Sequence, residues 1–183
     1  MKELSLNILD VTENSVKAGS TLTEIRISET GDALTITIKD NGCGMTDEVE
    51  RAVVNPFYTT RTTRSVGLGI PLLKLAAEQT GGGLEIESKT SLESADHGTT
   101  VKATFYKNHI DFTPLGDVVS TVTTLIQGHP DTDFLFLHEA EGGEVSLDTR
   151  ELREVLEDVP LSSFEVLNWI GENLREQYEI FKN

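Results

Sequence analysis

The amino-acid sequence predicts an α/β protein: a two-layer α/β sandwich over about residues 1–107, followed by a mixed helical extension over residues 108–183. Three observations predict it. An apolar stripe at helical spacing opens the chain. Four later segments alternate apolar and polar residues with a period of two, and two helical stretches are interleaved with them. A sheet built from alternating strands has one wet face and one face covered by helices.

Lys2–Ala18 reads as the first helix, with Leu4, Leu6, Ile8, Leu9 and Val16 as its apolar side and Gly19 as its stop. Leu22–Ser28 and Leu34–Lys39 read as strands joined by the hairpin turn Glu29-Thr30-Gly31-Asp32. Asp47–Val53 reads as a short helix capped by Asp47, with Glu50 three residues on. Ile70–Gln79 is a helix that tolerates Pro71 in its first turn and ends before Gly81. Leu84–Ser88 and Thr100–Tyr106 supply two more strands.

Beyond Tyr106 the pattern changes. Leu115–Gln127 reads as a helix, Asp133–Leu137 as a short strand and Glu141-Gly142-Gly143 as a turn. Two helices follow, signposted by Asp148 with Glu151 and by Ser162 with Glu165 at capping-box spacing. Their apolar faces, among them Leu152, Leu156, Leu167, Ile170 and Leu174, are expected to pack on the first 107 residues. Docking of a partner protein is the other use for such faces.

Charge narrows the function classes. Lys+Arg 15 against Asp+Glu 31 leaves a net charge of -16, a surface that repels nucleic-acid backbones and anionic membranes. Neither class of partner is expected. No apolar run approaches the roughly 20 residues that span a bilayer, and the N-terminus lacks the basic and apolar regions of a signal peptide. With one cysteine, Cys43, no internal disulfide can form, so a reducing cytoplasm is the expected setting.

Against that acidic background, three motifs suit a single bound anion. Asp10, Asn14 and Lys17 fall at i, i+4 and i+7, on one face of the opening helix. A carboxylate, an amide oxygen and an ammonium in a row could hold a hydrated Mg2+ and a phosphate chain, since Mg2+ takes oxygen ligands and keeps several waters. Asp40-Asn-Gly42-Cys-Gly44 directly follows a strand, where a carboxylate can accept from an exocyclic amine and glycines let the backbone approach a flat ring. Gly67-Leu68-Gly69 opens a helix whose free N–H groups and positive dipole end suit phosphate. Alone, each has an ordinary reading: a solvated polar stripe, an Asp-Asn-Gly turn, a chance Gly-x-Gly.

In this order the motifs resemble the GHKL ATPase family, which joins gyrase, Hsp90, histidine kinases and MutL. "DVTENSVKAG" is similar to the N-box, "DNGCGM" to the G1 box and "NPFYTTR" to the F-box. "VGLGIPLLKLAAEQTGGGLEIES" is similar to the G2 box with its helix and strand, and "HGTTVKATF" to the closing strand. The resemblance covers about residues 3–107 and implies the Bergerat ATP-binding fold. It implies ATP and Mg2+ as ligands, with Asn14 on the metal, Asp40 on the adenine amine, and Gly42 and Gly44 shaping the adenine pocket. Thr99 or Thr100 would sit near the base. Residues 58–66 would form a lid over the triphosphate, with Thr60 in it, Gly67, Leu68 and Gly69 at the phosphates, and Lys17, Arg61 and Arg64 as phosphate contacts. Phe57 is expected to anchor the lid by packing, and Cys43 to be a small buried filler.

The activity turns on Asp10. Four residues before the N-box asparagine, ordinary histidine kinases resemble one another in carrying a second asparagine, whereas water-attacking members and serine kinases of the family carry a carboxylate. Asp10 therefore resembles a base that activates a hydroxyl, one methylene shorter than the usual Glu. The short lid and "GLGIPLLKLAAEQTGG" resemble kinases, with Ser65 in place of their first glycine. The N-box helix begins almost at Met1, with no phosphoacceptor helix ahead of it, and His138 is expected to be a surface or packing histidine. The expectation is a stand-alone, Mg-dependent ATP-binding protein that passes the γ-phosphate to a partner protein. An ATP-sensing regulatory subunit and a slow clamp-type ATPase are the alternatives.

Overall fold

The computed structural model describes residues 3–57 and 68–181. Helix α1 (Leu4–Lys17) leads into β1 (Leu22–Thr30) and β2 (Ala33–Asp40), then α2 (Asp47–Val53), α3 (Gly69–Gln79), β3 (Gly83–Lys89) and β4 (Gly98–Tyr106). The chain continues through α4 (Val118–Gly128), β5 (Asp133–Ala140), β6 (Gly143–Asp148), α5 (Thr149–Leu156) and α6 (Phe164–Phe181). One six-stranded sheet runs β3-β4-β2-β1-β5-β6. Every pairing is antiparallel except β1 with β5.

Strand alternation decides which face is covered. Ile25 and Ile27 of β1, Ile36 and Ile38 of β2, Ala103 and Phe105 of β4, and Phe134 and Phe136 of β5 are each at most 1% exposed. They lie beneath α3, α1, α4 and α6, which pack in that order across the sheet. The opposite face carries Glu24, Arg26, Glu85 and Lys102, paired as Arg26–Glu24 at 3.1 Å and Lys102–Glu85 at 3.7 Å. The predicted two-layer sandwich is therefore the architecture found.

Residues 108–181 extend this sheet. β5 lies parallel to β1, with Leu22 opposite Asp133 and Ser28 opposite Glu139, and α4 packs on α1. Ser5 N donates to Leu115 O and Thr121 Oγ1 donates to Ser5 O, so the start of α1 is stitched to the segment that leads into α4. Ile170 and Leu174 of α6 are fully buried, but α6 packs on β6 and α4 of the extension itself rather than on the elements of residues 1–107.

Three sequence expectations shift. The cap of α2 is Thr46, whose Oγ1 accepts from Val49 N, and not Asp47. Helix α4 begins at Val118, three residues late, because Gly116 adopts φ +80° and Asp117 caps the helix by accepting from Ser120 N. A strand was overlooked altogether: β6, read only as a turn before a helix cap, alternates with Val145 and Leu147 buried and Glu144 and Ser146 exposed. Its outer edge is closed by the Gln177 side chain, which accepts from Ser146 N at 2.8 Å and donates to Ser146 O at 3.0 Å. A side-chain amide thus occupies the place where another strand would add.

At the far end of β1 a buried polar chain ties α6 to the sheet. Glu29 Oε1 accepts from His138 Nε2 at 2.9 Å, and Tyr178 lies 2.8 Å from His138 Nδ1. The carboxylate can only accept, so Nε2 carries the proton and the Tyr178 hydroxyl donates to Nδ1. Lys107 Nζ donates to Glu29 Oε2 at 3.0 Å. Burial holds the His138 imidazole below its ordinary pKa, against the opposing pull of Glu29. Replacing Tyr178 by Phe leaves Nδ1 without its donor, so Tyr178→Phe is expected to lower unfolding stability by about 1–2 kcal/mol in urea titration. An unchanged midpoint would show that this chain does not hold α6 in place.

Candidate functional site

β2 ends on Asp40, whose side chain lies on the same face as Ile36 and Ile38, under the helices, and is 8% exposed. Its Oδ1 accepts from Gly42 N at 2.9 Å and from Thr99 N at 3.2 Å. The second oxygen, Oδ2, bonds no described residue. One carboxylate oxygen thus fixes the turn and the start of β4, while the other is left as an acceptor.

The glycine turn is pressed between two backbones. A Cβ on Gly42 would lie 2.9 Å from Ala18 O at the end of α1, and Cys43 N donates to that same carbonyl at 2.9 Å. Gly44 adopts φ +72°, and a Cβ there would come within 1.9 Å of Lys89 O. Only glycine meets both conditions at that position. Asn41 faces the other way, accepting from Thr21 N at 2.9 Å and Leu22 N at 3.0 Å, and so pins the entry of β1.

Register decides between the two threonines. Asp40 pairs with Thr99, which pairs with Ser88, so these three side chains form a row on the helix-covered face. Thr100, one residue on, points to the opposite face and is not brought to Asp40. Thr99 Oγ1 lies 2.7 Å from Ser88 Oγ, which also donates to Gly98 O at 3.1 Å and accepts from Met45 N at 2.8 Å. His97 Nδ1 donates to Gly42 O. Ser88 and His97 thus support the turn from the neighbouring strands. Sequence reasoning passed over both because their signal is cross-strand register.

On α1, Asp10, Asn14 and Lys17 share an exposed face as their spacing requires. Lys17 Nζ stands 4.0 Å from Glu13 Oε2, and the Asn14 side chain makes no hydrogen bond to a described residue. Helix α3 packs beside α1, and its first residue lies against Asp10. Gly69 is its buried first residue, and a Cβ on Gly69 would lie 3.1 Å from Asp10 Cβ. The unsatisfied N–H groups of the first turn of α3 therefore open beside Asp10. Burial pushes the Asp10 carboxyl above its ordinary pKa, Lys17 opposes that shift and Glu13 adds to it.

Leu68 is 43% exposed and its carbonyl accepts from Leu72 N at 2.9 Å. Thr60, Arg61, Arg64, Ser65 and Gly67, with the rest of the expected lid, lie outside the described residues. Two expectations next to the lid and the turn are corrected. Phe57 is 86% exposed and does not pack inward. Cys43 is a free, exposed thiol, since Gly42 occupies the inward position of the turn and alternation turns Cys43 outward.

Among the described residues no cluster of three or more His, Cys, Asp or Glu side chains could hold a metal ion by itself. The Asn14 amide oxygen is a hard donor on an exposed face, which fits an ion held by one protein ligand together with phosphate oxygens and water. The histidines are committed elsewhere. His138 is 2% exposed within its polar chain, His129 Nε2 bonds Glu13 Oε1 at 2.8 Å, and His109 lies 3.6 Å from Asp111.

Comparison with known proteins gives the same picture. Sporulation kinase C of Bacillus subtilis (strain 168) is 30% identical over 89 residues, which is 49% of this chain and 20% of the relative. Nitrogen regulation protein NtrY of Azorhizobium caulinodans is 35% identical over 81 residues, 43% of this chain and 10% of NtrY. The chain thus spans a fifth or less of the curated relatives it matches. The ATPase domain of Aquifex aeolicus MutL, solved with ADP, superposes with a TM-score of 0.55 over 86% of this chain and 70% of that one, at 17% identity, a likeness of fold. The family described as histidine kinase-, DNA gyrase B- and HSP90-like ATPase matches residues 2–109, the span that holds α1, the glycine turn, the start of α3 and β4. More than half of the chain is matched, and it holds every element of this pocket: the chain belongs to that ATPase family.

Proposed function

We propose that the chain binds Mg–ATP between α1, the glycine turn and α3, and that it passes the γ-phosphate to a side chain of a partner protein in the cytoplasm. The observation that carries the nucleotide reading is Asp40. Its Oδ1 is fixed by Gly42 N and Thr99 N, which leaves Oδ2 to accept from the adenine amine. Gly42 and Gly44 keep the adjoining wall flat, and Thr99 lies beside the carboxylate.

Asn14 would hold the metal ion, which neutralises phosphate charge as the terminal group leaves. Lys17 on the same helix face and the N–H groups at the start of α3 would receive phosphate oxygens. Arg61 and Arg64 would contact the phosphates from the segment that also holds Thr60, with Gly67, Leu68 and Gly69 at the phosphates. Asp10 stands where α1 meets α3, and its raised affinity for protons suits a base. It would take the proton of an acceptor hydroxyl as the new O–P bond forms and the bond to the β-phosphate oxygen breaks, releasing ADP. Self-phosphorylation on histidine is disfavoured, since His138 is buried and His97, His109 and His129 each bond or face a group of the same chain.

Incubation with labelled ATP and co-purifying proteins tests the reading. Acid-stable labelled protein is expected. Acid-labile label would indicate a histidine acceptor, free phosphate alone an ATPase, and binding without turnover a sensor. Asn14→Ala and Asp40→Ala are each expected to weaken ATP binding at least ~10-fold in calorimetric titration, the first by loss of a metal ligand and the second by leaving the adenine amine unpaired. Tight binding by both variants would refute the nucleotide site.

Asp10 gives a prediction of opposite sign for stability and turnover. Its folded pKa is raised, so ionisation disfavours the folded state and stability falls as pH rises through the interval above the unfolded value. Asp10→Asn is expected to raise the melting temperature at neutral pH, to have no such effect below about pH 4, and to retain ATP binding while losing transfer. A variant that melts lower at neutral pH would remove the argument for a desolvated base.

A further inference from the structure

Asn7 is 1% exposed, yet neither its amide N–H2 group nor its carbonyl oxygen bonds a described residue. Leu4, Ile8 and Val11, the neighbouring buried positions of α1, are apolar core, so a polar side chain is the exception there. Buried polar groups are nearly always paired, and each exception calls for a partner. The Asn7 side chain lines a cavity of about 80 Å3 between α1, α3 and the segment leading into α4, together with Leu72, Leu75, Ala76, Gln79 and Thr113.

Leu75 is 51% exposed and Gln79 is exposed, so the cavity opens to solvent along α3, with Asn7 at its inner end. Its volume is that of about two or three molecules of liquid water, room for one small molecule. Leu72, Leu75 and Ala76 give it an apolar wall, and among the described residues no charged side chain lines it. A charged ligand would be desolvated there without a counter-ion. The Asn7 carboxamide offers a donor and an acceptor side by side, and the group that satisfies both at once presents an acceptor and a donor side by side, as a second carboxamide does. The conclusion is the same whichever way the Asn7 amide is turned.

We propose that this cavity binds a small neutral primary amide, its N–H on Asn7 Oδ1, its carbonyl on the Asn7 Nδ2 group and its alkyl part against Leu72, Leu75 and Ala76. The site rests on none of the nucleotide reading and is tested without ATP. Acetamide, acetate and acetone share one shape and differ in what they present: an acceptor with a donor, charged acceptors, and an acceptor alone. Titration of the full chain, followed by the NMR signals of the Asn7 side-chain amide and of Ala76, is expected to give saturable shifts with acetamide. The dissociation constant is expected in the millimolar range, since a ligand of so few atoms has a low ceiling on affinity. Acetate and acetone are expected to bind at least ~5-fold more weakly, the order of one lost hydrogen bond.

Asn7→Leu removes both ends of the amide at similar volume and is expected to erase the preference for acetamide over acetone, read at Ala76. Should that variant not fold, Leu75→Trp blocks the mouth from a half-exposed position and is expected to abolish the saturable shifts. The proposal is overturned if acetamide gives no saturable shift, if acetate or acetone binds as tightly as acetamide, if Asn7→Leu folds and keeps the preference, or if Leu75→Trp binds acetamide undiminished.

Discussion

The Oδ1 atom of Asp40 accepts two backbone N–H groups, from Gly42 and from Thr99, and the geometry of the pocket follows from that one oxygen. It sets the turn that brings Gly42 against the end of α1, and it fixes where β4 begins opposite β2. Around it the contacts reinforce one another: Cys43 N on Ala18 O, Ser88 beneath Met45 N, His97 on Gly42 O. A buried carboxylate is costly unless its acceptors are filled. Here the backbone fills one oxygen, and the other bonds no described residue.

The opposite end of the molecule uses the same physics for another purpose. Glu29 is also a strand carboxylate shielded by helices, but both its oxygens are engaged, by His138 and by Lys107. The result is a brace that holds α6 over β1 and β5. Helix α1 spans the two ends, with Leu4 N and Ser5 N bonded to Pro114 O and Leu115 O, and with Asn14 and Ala18 at the pocket. The segment after residue 107 is thereby part of the same sheet and the same helical layer.

Most of the fold was legible because its signals are local. A period of two marked four of the six strands and a fifth was read as a short strand, and glycines at 19, 31 and 81 adopt positive φ where the helix stop, the hairpin turn and the second helix stop were placed. The overlooked β6 has the same signal, Val145 and Leu147 in alternation, but over six residues squeezed between a turn and a cap. The candidate site was legible to the extent that it consists of motifs. Asp40 and Gly44 belong to one local turn, so sequence placed them. Ser88 and His97 act only through strands that neighbour the turn in space.

By itself the sequence determined the types of the elements other than β6, the apolar face of the four alternating strands and the α1 face that carries Asp10, Asn14 and Lys17. These follow from residue periodicity, which is a property of one segment at a time. Tertiary structure decided that Thr99 and not Thr100 shares the face of Asp40, that Gly69 brings the start of α3 onto Asp10, and that β5 lies beside β1. Those outcomes depend on register and on the closeness with which two backbones can approach, and both quantities exist only between segments that are distant in the chain.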